Sequence, residues 1–128
     1  MKFAHAALFT LLAGQAFHAS AAIPGPVGPR EIREFAVIAE RFEFIPDRIE
    51  VDQGDHVRII VRSADGTHGF TIRKLGVHKE IPRSGEPVTI EFDADRAGTF
   101  RIACSEYCGR GHSRMSGTLV VNPPGGNR

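Results

Sequence analysis

Between Cys104 and Met115 the sequence runs Cys-Ser-Glu-Tyr-Cys-Gly-Arg-Gly-His-Ser-Arg-Met, which gathers two thiols, an imidazole and a thioether into one short stretch. Thiolate and thioether sulfur are soft donors, and with imidazole they suit copper rather than calcium or magnesium, which prefer oxygen. The chain's two cysteines both fall here, and the methionine at 115 is accompanied only by the initiator. A further imidazole stands upstream in Asp65-Gly66-Thr67-His68-Gly69-Phe70, where the glycines allow backbone to come close to a metal loop. The expectation is copper held between these two segments. Thiolates bridging two ions, with one imidazole for each and weak axial donors, would use every strong donor present.

Other chemistries fit fewer of the residues. A Cys104–Cys108 disulfide accounts for both cysteines in an oxidising compartment but leaves His68, His112 and Met115 unexplained. A mononuclear blue-copper site would take Cys108, His112, Met115 and His68 and leave Cys104 redundant. Zinc would close on Cys104, Cys108, His112 and His68 and has no use for the thioether. Haem attachment needs Cys-x-x-Cys-His, which does not occur, and a thioredoxin-type fold needs helices between its strands. His56 and His78 read as surface side chains, and Asp65 reads as capping the turn before Gly66.

The elements that must position these donors have a period near two. Phe35–Ala39, Phe42–Pro46, Ile49–Val51, Val57–Val61, Phe70–Ile72, Val88–Phe92, Thr99–Ala103 and Thr118–Val121 alternate apolar and polar residues between Pro, Gly and Asp turns. Seven or eight short strands with no useful helix predict an all-β, antiparallel sandwich. Phe42, Phe44, Phe92 and Phe100 are expected in its core. The donor-rich stretch then spans the loop between the last two strands, and His68 begins another strand that closes the site from the opposite side.

Residues 1–22 carry one early lysine, an apolar run from Phe3 to Phe17 and Ala19-Ser20-Ala21-Ala22, the pattern of a signal peptide cleaved after Ala21 or Ala22. The run is shorter than the roughly 20 apolar residues a membrane span requires, and no later stretch could cross a bilayer. Residues 23–33 are a Pro/Gly-rich linker, 34–122 the folded domain and 123–128 a loose tail. Export places the mature protein in the periplasm. Removing Lys2 leaves 15 basic and 15 acidic residues, a near-neutral balance without basic runs that argues against nucleic-acid binding.

The loop resembles the CuA-binding loop of cytochrome c oxidase subunit II, Cys-Ser-Glu-x-Cys-Gly-x-x-His-x-x-Met, at every defining position. The likeness continues through Phe42-x-Phe-Ile-Pro46, Gly54-Asp55-x-Val57, His68-Gly69-Phe70 and Gly98-Thr99-Phe100, covering roughly Phe42 to Val121. It implies a Greek-key cupredoxin fold and a dinuclear CuA centre of two copper ions. Cys104 and Cys108 would bridge them, with His68 and Met115 completing one ion and His112 and the Glu106 carbonyl the other. In the family the side chain of this Glu also faces the catalytic subunit and helps hold magnesium.

The implied role is a one-electron carrier serving a cytochrome or a membrane oxidase or reductase complex. As the electron-accepting component of such a complex it would not be catalytic alone, because a saturated site has no open position for substrate. The competing role is copper handling, meaning storage or delivery to an oxidase. Family members begin with a two-helix membrane hairpin and a Trp- and Tyr-rich segment, and this sequence has no Trp. Electrons would therefore pass over Tyr107, Phe70 or the edge of His112. Arg110, Arg114, Arg73 and Lys74 suggest a basic docking face for an acidic partner.

Overall fold

The computed structural model describes residues 32–124, so the leader, most of the linker and the end of the tail lie outside the described residues. Nine strands follow in order: β1 (Ile32–Glu40), β2 (Glu43–Ile45), β3 (Arg48–Asp52), β4 (His56–Ser63), β5 (His68–Ile72), β6 (Val77–Ile81), β7 (Val88–Asp93), β8 (Gly98–Ala103) and β9 (Ser116–Asn122). The only helical pieces among the described residues are two three-residue 3-10 turns, Arg73–Leu75 and His112–Arg114. No described helix is long and apolar enough to cross a membrane.

The strands form two sheets, ordered β2-β1-β4-β7 and β3-β9-β8-β5-β6. The expected sandwich is present, but its pairing is mixed rather than wholly antiparallel. β1 runs parallel to β4, and β3 runs parallel to β9. The reason is the path of the chain: it leaves the first sheet after β2, contributes β3 to the second and then returns. β1 starts at Ile32, inside the segment read as linker.

Period-two burial explains the core. β4 alternates so that Val57, Ile59 and Val61 point inward, and β9 does the same with Leu119 and Val121. Buried with them are Ile49, Val51, Phe100 and Ile102, and Phe44 meets Phe70 edge to face at a centroid separation of 5.5 Å. Such an aromatic pair adds about 0.5–1.5 kcal/mol beyond its burial. Phe92 is only half-buried, at the margin of this core. Phe42 is not in it: the side chain is exposed and lies over Gly109 and Gly111 of the β8–β9 loop. β6 is not among the expected strands because Val-His-Lys-Glu-Ile buries only its two ends, the pattern of an edge strand.

Candidate metal centre

The loop from Cys104 to Met115 is fastened where it leaves and rejoins the sheet, because the Cys104 amide donates to the Met115 carbonyl at 3.2 Å. Inside it, the amides of His112, Arg114 and Met115 donate to the carbonyls of Gly109, Gly111 and His112. These bonds fold the chain into a 3-10 turn, which carries His112 back toward Cys108.

Every residue expected from the sequence to hold metal lies in one cluster. Cys104 Sγ and Cys108 Sγ are 3.8 Å apart and both thiols are free. His68 Nδ1 lies 4.0 Å from Cys104 Sγ, and His112 Nδ1 lies 3.8 Å from Cys108 Sγ. Met115 Sδ is 3.8 Å from Cys108 Sγ, and the Glu106 carbonyl oxygen is 3.1 Å from Cys104 Sγ. His68, Cys104, Cys108 and Met115 are buried, whereas His112 is half-buried at the molecular surface. His68, Cys104 and Cys108 offer ligand atoms within 4.8 Å of one another. Two sulfurs, each with its own imidazole and its own weak donor, suit a soft or borderline metal.

His68 reaches the cluster from the other side because Gly69 lets β5 press against the loop. A Cβ there would lie 2.7 Å from the Ser105 nitrogen and 2.8 Å from that of Glu106, closer than real contacts allow. The Gly69 amide faces Cys104 Sγ at 3.5 Å.

Two further residues orient the donors. Asp65 Oδ1 lies 2.8 Å from His68 Nε2 and its Oδ2 accepts the Arg41 amide at 2.9 Å. The expected turn cap is instead Ser63, whose hydroxyl accepts the Asp65 and Gly66 amides, and the Asp65 side chain braces His68. With Nε2 donating to the carboxylate, Nδ1 is left free to face the sulfurs. Burial acts to raise the Asp65 pKa, but the Arg41 amide and the His68 ring outweigh it and leave it lowered. Arg41 Nε in turn donates to the Cys108 carbonyl at 2.8 Å, tying the β1–β2 turn to the loop. Spacing hints at Asp65, three residues before His68, but nothing local marks Arg41, whose partner is 67 positions away.

Burial first, and then the neighbouring Cys104 thiol, push Cys108 up to about 11. Metal uptake must therefore displace a tightly held proton.

Of the side chains expected to pass electrons, Tyr107 is 76% exposed and stacks obliquely near His112 at 5.8 Å. Phe70 is fully buried and cannot serve as a contact surface. His56 pairs with Asp93 at 2.8 Å, and His78 lies on β6, 2.9 Å from Thr71 Oγ1. Arg73 and Lys74 line one cavity together with Arg101, and neither Arg110 nor Arg114 lines it.

A family model described as a cupredoxin-like domain matches residues 3–121. Cytochrome c oxidase subunit 2 of Thermus thermophilus is 37% identical over 94 residues, 73% of this chain and 68% of that protein. A second subunit 2, from a further strain of the same organism, is equally identical, but the chain spans only 55% of its length. Among solved structures, the periplasmic domain of cytochrome oxidase subunit II from Bradyrhizobium japonicum superposes with a TM-score of 0.54 and 31% identity. That match covers 60% of this chain and 55% of the other. A heme-copper terminal oxidase dimer gives 0.63 at 25% identity over 72% of this chain and 65% of that one. Matching sequence, sandwich and sulfur–imidazole cluster agree, and the chain belongs to the cupredoxin-like family, among the copper-binding domains of cytochrome c oxidase subunit 2.

Proposed function

We propose that the chain is a periplasmic one-electron carrier built around a dinuclear CuA centre. In such a centre the thiolates of Cys104 and Cys108 would be shared by both ions, His68 and Met115 would serve one, and His112 with the Glu106 carbonyl the other. The observation that carries this reading is the doubling of the donor set. Both imidazoles would also serve a mononuclear site, but the second sulfur would not: Cys104 Sγ lies 3.8 Å from Cys108 Sγ, with His68 Nδ1 4.0 Å from it. When bound, such a pair supplies a couple whose single charge is shared over both metals and both thiolates.

The chain's own residues account for the rest. Sheet strands hold both ends of the loop, Asp65 fixes one imidazole and Arg41 fixes the Cys108 carbonyl, so the donors change position little with charge. Burial of Met115 and both thiols limits contact with water, and a full donor set would leave no open metal position for a substrate. Half-buried His112 and exposed Tyr107 are the contact surface nearest the donors on the loop side. The partner is a cytochrome or a membrane oxidase complex, in keeping with the relatives' names.

Absorption and EPR spectra of the copper-loaded chain test the reading, together with the copper content per chain. A purple protein with two coppers and hyperfine structure from two equivalent nuclei is expected. A blue protein with one copper and single-nucleus hyperfine would overturn it. Rapid surrender of copper to a chelator, without a reversible one-electron couple, would instead identify a copper-handling protein.

A further inference from the structure

Several charges on the four-stranded sheet are paired with one another. Arg58 lies 2.5 Å from Glu91 and 3.2 Å from Glu34, and His56 faces Asp93 at 2.8 Å. The other sheet differs on the side of the metal cluster. A cavity of about 570 Å³ opens there, lined by Arg73, Lys74 and Arg101 together with Thr71, Thr99 and Thr118. The cavity reaches Cys104 and Ser105, and no carboxylate lines it.

An adjoining hollow shares Lys74 and Thr99 and adds Arg96. The Arg96 guanidinium donates to the Lys74 carbonyl at 2.8 Å and lies 5.6 Å from the Phe100 ring centre, so it is held on this face. None of these four cations is ion-paired among the described residues. Four like charges thus stand together on one face of a chain whose net charge is only +1. The positive field is local, and it lies beside a thiol of the metal cluster rather than at the loop tip.

We propose that this face docks an acidic protein, whose clustered Asp and Glu side chains lie over Arg73, Lys74, Arg96 and Arg101 and bring its surface against Cys104 and Ser105. Cations spread over two adjoining hollows match several carboxylates presented together better than one small oxyanion. The proposal deepens the carrier reading by assigning the charge of a partner met on the Cys104 side, a contact separate from His112 and Tyr107, and it rests on that reading only for the purpose of the contact.

The test uses the full ¹⁵N-labelled chain without copper, titrated with a polyglutamate peptide while amide shifts are followed. Shifts at Thr71, Arg73, Lys74, Thr99, Arg101 and Ser105 are expected, with affinity falling about tenfold or more from low to physiological ionic strength. The double variant K74E/R101E should retain the dispersed spectrum of a folded chain and lose the shifts. The milder R101Q covers the case in which that double variant does not fold, and it should weaken binding measurably. Shifts centred on Arg110 and Arg114, or binding unaffected by R101Q, would overturn the proposal. So would equal shifts from inorganic phosphate at the same concentration, because they would mark a small-anion site. No copper is involved, so failure here leaves the spectroscopic test of the metal pair standing, and the reverse also holds.

Discussion

His68 can present Nδ1 to the sulfur cluster because Nε2 is already committed to Asp65, and Asp65 is steadied by the Arg41 amide. Removing such an orienting carboxylate usually lowers metal affinity about 10–100-fold. Asp65→Ala is therefore expected to weaken copper binding by that order in chelator competition, and an unchanged affinity would show that the ring needs no support. Cys108 provides a second expectation. Burial and the adjacent Cys104 thiol hold its pKa at about 11, above the ordinary 9.0. Because the folded value is the higher one, the protonated thiol favours folding fully below about pH 9, and that contribution disappears as pH rises through about 11. The copper-free chain should lose melting temperature across this interval, and Cys108→Ser should lessen the loss. A melting temperature flat from about pH 9 to about pH 11 would contradict the assignment.

At the scale of the element, the β8–β9 loop keeps its shape through its own backbone bonds and through what covers it. Phe42 lies on Gly109 and Gly111, and a Cβ at Gly111 would collide with its ring. Gly111→Ala is expected to cost about 1–3 kcal/mol, as overpacking usually does. Pairing it with Phe42→Ala should recover much of that cost in a thermal double-mutant cycle, whereas additive costs would show that the two residues do not press on each other. The period-two pattern around Phe42 points to the core, because alternation indicates a face without indicating what lies above it. β6 shows the opposite failure. Its middle residues are exposed, so the apolar signal that marks the other strands is missing, and only its hydrogen bonding to β5 defines it.

Across the whole molecule, β5, β8 and β9 lie in one sheet, so His68 and the cysteine loop meet there, over a core shared with the other sheet. Phe44, buried and set edge to face against Phe70, joins the sheets behind the ligand-bearing strand β5. Phe44→Ala should destabilise the chain by about 3–5 kcal/mol in denaturant unfolding, and a loss under about 1 kcal/mol would place the core elsewhere. The sequence by itself determined where the proposed donors stand along the chain, because twelve consecutive residues carry five of the six and short-range spacing is set by the chain. It also determined the strand-rich architecture, through alternation that only a two-faced sheet satisfies. What only the tertiary structure decided depends on residues brought together from far apart: the parallel pairings, the Asp65–Arg41 brace, Phe42 over the loop, and Arg73, Lys74, Arg96 and Arg101 on one face. Local periodicity contains no information about which strand lies beside which, so these contacts exist only once the sandwich has closed.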